Sequence, residues 1–196
     1  MNKPQTLSFY RRNLPHWHVV GRPYFVTFRL KGSIPKQVLL QIRKERKQLL
    51  QINDTQKIIY ARKRFAMIEK ILDSSSENNH LNNSKTANII IRAFEWAETK
   101  HSWKFYSYVI MPNHVHCLMS GSNSDNDLTE IMQIIKGFTS HEINKTLNRK
   151  GAFWAPEIFD HWCRTPEKVE SVIRYIHNNP VKAKLVKNFK DWPWIK

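Results

Sequence analysis

The chain has 196 residues, enough for one domain with a real core and too few for two ordinary ones. Lysine and arginine number 32 against 16 acidic residues, an excess of 16 positive charges that solubility does not demand and that points to a polyanion, either nucleic acid or an anionic membrane surface. No apolar run approaches the roughly 20 residues needed to span a bilayer, and no apolar block follows a basic start, so the chain reads as cytoplasmic.

Only Cys117 and Cys163 are present, without the Cys-x-x-Cys spacing of a structural zinc site, and both read as reduced packing residues. Along the chain, Arg11, Arg12, His16, Trp17 and His18 form a basic and aromatic arm over 1–21, suited to phosphate contact and base stacking or to packing on the domain surface. From Arg22, the run Arg-Pro-Tyr-Phe-Val-Thr-Phe-Arg-Leu predicts a central strand ending near Gly32 and Ser33. Apolar residues at helical spacing from Pro35 to Ile71 predict two helices or one broken one. Their clusters, including Arg43, Lys44, Arg62 and Lys63, suit either a nucleic-acid groove or a solvated face.

Asp73 to Ser84 is rich in Ser and Asn and reads as a loop. Thr86 to Lys100 predicts a helix, and Trp103 to Ile110 and His114 to Met119 predict two strands joined by a bend at Met111-Pro112-Asn113. A helix then starts near Asp127 or Thr129, short extended pieces fall at Phe153-Trp154 and Ile158 to Cys163, and Thr165-Pro166-Glu167 opens a last helix expected to stop at Asn179, before Pro180.

The chemistry sits in two of these elements. On a strand, His114 and His116 share one face, and two neutral imidazoles side by side are half of a divalent-metal site, although a His-x-His pair also arises by chance. Cys117, the next residue, points to the opposite face. On the last helix, Val169, Val172 and Ile173 fall within about 60° of Ile176, with Tyr175 and Asn179 together on one flank of that stripe. An isolated tyrosine there would ordinarily be a packing residue, and an asparagine before proline an ordinary helix end. His161 and His177 are candidate bases by residue type alone, and His177 lies on the flank away from Tyr175.

The segments Tyr108 to His116, Phe153-Trp154, Phe159 to His161 and Tyr175 to Ala183 together resemble the REP-associated tyrosine transposases, relatives of the single-tyrosine HUH transposases. The resemblance is specific from about Trp103 to Val186. Lys184 stands where the family usually has Gly, and the basic stretch from Pro35 to Ser84 exceeds that of compact members. The resemblance implies a single α+β domain over 1–196, with a ferredoxin-like antiparallel sheet, helices packed on one face and a basic helical insertion over about 35–85. It further implies a tyrosine-bearing helix over 165–179 and a C-terminal tail over 184–196.

The resemblance also implies that His114, His116 and Asn179 ligate Mg²⁺ or Mn²⁺ and that Tyr175 is the nucleophile, cleaving and rejoining single-stranded or hairpin DNA through a 5′-phosphotyrosine. Lys182 and Lys184 are candidate phosphate contacts beside Arg11, Arg12 and the helical clusters, and the chain is expected to act as a monomer or homodimer. Two rivals make different predictions. A domesticated hairpin-binding protein without catalysis would be indifferent to loss of Tyr175. A metal-dependent hydrolase would release free 5′-phosphates without a covalent adduct.

Overall fold

A computed structural model describes residues 6–11, 15–19, 21–48, 54–74, 78–121 and 127–196. In chain order these form β1 (Thr6–Arg11), β2 (Pro15–Val19), β3 (Tyr24–Arg29), α1 (Lys36–Gln48), α2 (Asp54–Ser74) and α3 (Ser84–Lys100), then β4 (Trp103–Ile110), β5 (His114–Gly121), α4 (Leu128–Thr146), β6 (Phe159–Trp162) and α5 (Pro166–Lys182).

The main sheet has the order β4-β5-β3-β6 with every neighbouring pair antiparallel. With α3 between β3 and β4, and α4 between β5 and β6, this is the ferredoxin-like β-α-β-β-α-β arrangement. β3 and β5 are the two central strands, as the aromatic and β-branched content of the first suggests. The described part of the N-terminal arm is a separate two-stranded ladder of β1 on β2.

Both faces of the sheet are covered, which corrects the expectation of helices on one face. Val115, Cys117 and Met119 of β5 pack with Tyr24, Val26 and Phe28 of β3 under α3 and α4. Phe25, Val109 and Leu118 on the other face pack under Val172 and Ile176 of α5 and under Trp192. The physical reason lies in β5, where His114 through Ser120 are all buried. The face that carries its two histidines is therefore covered as well.

Local chemistry sets the helix ends. Asn83 caps α3, and Asp127 and Glu130 form a capping box at the start of α4. Thr165 caps α5 ahead of Pro166. The expected stop at Asn179 is overturned, because α5 runs on to Lys182 with Pro180 inside its last turn. Pro180 is buried, so its ring gains packing against the loss of one backbone donor.

The helix closes when Lys184 N–H donates to the Val181 carbonyl and Leu185 N–H to the Pro180 carbonyl, with Lys184 at φ 58°. This is the left-handed closing position that favours Gly, and it explains why a Gly is expected there. Lys184→Gly should raise stability by about 0.5–1 kcal/mol, the left-handed strain relieved less the entropy glycine loses on folding. A chemical-denaturation midpoint that does not rise at unchanged slope would contradict this.

A candidate metal centre with a tyrosine

Strand register assembles one half of the site. Thr27 pairs with His116 and Arg29 with His114, while Phe25 faces His161 across β3 and β6, so all six side chains share the face beneath α5. His114 and His116 are fully buried, with their Nε2 atoms 3.1 Å apart. Phe25 stacks on the His116 ring at 5.4 Å between centroids, 22° from parallel.

The second half comes from helices. Tyr175 of α5 lays its ring edge-on to Phe25, at 5.6 Å, and its hydroxyl donates to Oε2 of Glu69 on α2. The same Oε2 lies 3.1 Å from His116 Nε2. One carboxylate oxygen thus touches both the tyrosine and His116. Asn179, one turn after Tyr175 and buried, donates from Nδ2 to the Tyr175 carbonyl at 2.8 Å.

The imidazoles are held by their other nitrogens. Asn113 Nδ2 donates to the Leu72 carbonyl of α2 at 2.9 Å, which leaves Asn113 Oδ1 to accept from His114 Nδ1 at 2.7 Å. His114 therefore carries its proton on Nδ1, and its Nε2 lone pair faces the site. His116 Nδ1 lies 2.7 Å from the Thr27 hydroxyl, which can donate or accept and so suits either tautomer. Asn113→Ala is expected to weaken divalent-metal binding by about 10- to 100-fold, the usual effect of losing a group that orients a ligand histidine. Calorimetric titration with Mn²⁺ checks this, and wild-type affinity in the variant would refute it.

Electrostatics agree with a neutral His114 and an ionised Glu69 carboxylate. Burial, reinforced by His116, pushes His114 down to about 3. For Glu69, burial acts upward but is outweighed by His116, His114 and the Tyr175 hydrogen bond, which hold the carboxyl well below its usual range. Burial, and then the Glu69 charge, push the Tyr175 phenol up, so it stays protonated at neutral pH. Burial lowers His161 to about 4.

The donor set fits a divalent cation. The ligand atoms of Glu69, His114 and His116 lie within 4.8 Å of one another. Glu69 Oε1 and Asn179 Oδ1 are buried acceptors without a hydrogen-bond partner. Each such orphan costs about 1–3 kcal/mol, which coordination would offset. Two imidazoles with carboxylate and amide oxygens form a mixed nitrogen and oxygen donor set of the kind that divalent metals take.

The sequence-derived residues fare differently. His114, His116, Tyr175 and Asn179 converge on one region, whereas Glu69 was missed. The signal for it was a lone acid among Phe65, Ile68 and Leu72, inside the apolar stripe of an otherwise basic helix. Cys117 lies on the opposite face, its thiol against Met119 at 3.7 Å. His177 stacks on Phe189 with Nε2 3.2 Å from the Lys196 carbonyl, away from Tyr175.

Among the candidate phosphate contacts, Lys44, Arg62, Lys63 and Lys184 are exposed. Lys182 is paired with Asp73 at 2.8 Å, tying α5 to α2. Arg11 and Arg43 belong to β1 and α1, and Arg12 lies outside the described residues. No helix among the described residues is long and apolar enough to cross a membrane.

The family model described as Transposase IS200 like matches residues 66–179, more than half of the chain and a span that contains Glu69, both histidines, Tyr175 and Asn179. The chain belongs to this family. The resemblance to REP-associated tyrosine transposases is borne out by two curated relatives. One, a REP-associated tyrosine transposase of Escherichia coli (strain K12), is 28% identical over 88 residues, 45% of this chain and 50% of the relative. The other, from Haemophilus influenzae (strain ATCC 51907 / DSM 11121 / KW20 / Rd), carries the same name qualified as putative and is 31% identical over 94 residues, 43% of this chain and 53% of the relative. The chain thus spans about half the length of the curated relatives it matches. A solved structure of a REP-associated tyrosine transposase bound to a REP hairpin superposes with a TM-score of 0.60 at 18% identity, covering 96% of this chain and 82% of that one, a likeness of fold.

Proposed function

We propose that the protein is a metal-dependent transposase or endonuclease of single-stranded and hairpin DNA that cleaves and rejoins strands through a 5′-phosphotyrosine on Tyr175. The observation that carries this reading is the Tyr175 hydroxyl, held on the Glu69 carboxylate beside His114 and His116. A packing tyrosine would be satisfied by any acceptor, whereas this hydroxyl is held by a buried carboxylate whose same oxygen lies 3.1 Å from His116 Nε2. Family membership and the hairpin bound by the structural neighbour support the choice of DNA.

Glu69, His114 and His116 would hold the cation, with Asn179 Oδ1 as a further ligand. Bound there, Mg²⁺ or Mn²⁺ supplies charge neutralisation at the scissile phosphate and its leaving 3′-oxygen. Glu69 accepts the Tyr175 proton as the phenolic oxygen forms its bond to phosphorus, and the bond from phosphorus to the 3′-oxygen breaks. The departing strand leaves as a 3′-hydroxyl after taking up a proton. Attack of a 3′-hydroxyl on the phosphotyrosine, with the proton returned to Tyr175, joins a new strand. Phe25 and the buried Asn113 hold the histidines in place, so little reorganisation accompanies the step.

Incubation with 5′-labelled and internally labelled DNA hairpins and Mn²⁺ tests the reading. Internal label on the 3′ side of the scissile phosphate is expected to travel with denatured protein, and 5′-end label to leave with the fragment that ends in a 3′-hydroxyl. Cleavage that releases only free 5′-phosphates would favour the hydrolase instead.

A further inference from the structure

Beside the metal centre, α1 and α2 close over β3 and the segment Pro156 to Phe159 and leave a cavity of about 210 Å³. Leu39 and Ile42 of α1 with Phe65, Ile68 and Leu72 of α2 form its apolar wall. Arg29, Arg64 and Glu157 supply polar edges. Phe65 is stacked on Phe159 at 4.4 Å, 27° from parallel, so two cavity-lining aromatic rings form one stack.

Its size selects the class of occupant. Clefts for drug-sized ligands run to roughly 300–1,000 Å³, so this one takes a single heterocycle rather than a dinucleotide. An apolar, aromatic wall with guanidinium and carboxylate groups at the edge matches a flat ring whose faces are apolar and whose rim carries donors and acceptors. Thr27 and Glu69 line the cavity and also touch His116 and Tyr175, so an occupant lies one side chain from the proposed nucleophile.

We propose that this cavity is a base-binding subsite, which takes one unpaired nucleobase adjoining the scissile phosphate and thereby presents that phosphate to Tyr175. The inference rests on the reading of single-stranded DNA as substrate. It gives part of the stretch beyond compact members a task, since α1 and the second half of α2 build the outer wall. Specificity at one nucleotide position would then be set by the subsite rather than by the metal centre.

The test is fluorescence-anisotropy titration of the full chain, without metal, against short homopolymers of dA, dG, dC and dT and an abasic oligomer of equal length. Wild type should bind at least one homopolymer about 5- to 100-fold more tightly than the abasic strand, the range for stacking of one base. Ile42→Trp and, separately, Leu39→Trp fill the cavity from half-buried positions on α1. Each should erase that preference while leaving abasic binding unchanged. Tyr175→Phe should retain it, so a missing adduct with intact base preference counts against strand transfer and leaves the subsite standing. The proposal is overturned if wild type binds abasic and base-bearing strands alike. It is equally overturned if both filled variants, with wild-type circular dichroism, keep the preference or weaken abasic binding as much.

Discussion

Tyr175→Phe is expected to abolish covalent capture of DNA while leaving metal affinity within about twofold of wild type. The hydroxyl is the sole group removed, and the ring contacts with Phe25 and His116 remain. The cost to stability is about 1–3 kcal/mol at most, that of one hydrogen bond to a charged group, so the fold survives to be assayed. Under the proposed function, hairpin binding through basic side chains should persist with an unchanged salt slope. Phe at 175 with undiminished adduct would transfer the nucleophile to another residue. Unchanged strand joining with no adduct in either protein would favour a mechanism without a covalent step.

Glu69→Gln has the second large effect. Glutamine keeps an oxygen for the Tyr175 hydroxyl but removes the negative charge and the proton acceptor. Metal affinity should fall by at least about tenfold, and adduct formation at saturating metal by about 10²- to 10⁴-fold, the usual contribution of a positioned general base. The two effects separate by titrating Mn²⁺ to saturation before measuring the rate. If Glu69 merely completed the packing of α2, metal affinity would be unaffected. Restored rate at high metal would confine its role to coordination.

Side chains that share a face through a local period were legible in the sequence. His114 and His116 are two apart on a strand, Tyr175 and Asn179 four apart on a helix, and both spacings translate directly into a shared face. The strands β4 and β5 and the helix α4 were legible for the same reason, with capping residues marking the helix start.

What was not legible was set by tertiary approach. Glu69 lies over a hundred residues from Tyr175 in sequence, and only the packing of α2 on the sheet brings them together. Its basic neighbours suit either a nucleic-acid groove or a solvated face, and neither reading marks the acid in its second half, which walls the site. Asn113 looked like a bend residue, because its bond to the Leu72 carbonyl spans 41 positions. Pro180 reads as a stop because local rules charge the lost donor and not the packing its ring gains in the core.

The most direct measurement is the identity of the residue that carries DNA. Wild-type protein is incubated with a labelled hairpin and Mn²⁺, denatured, digested with nuclease and protease, and analysed by mass spectrometry. The nucleotide adduct is expected on the peptide that contains Tyr175, and fragmentation should place the phosphate on its phenolic oxygen. An adduct on any other side chain, or cleaved DNA with no adduct on any peptide, would contradict the account.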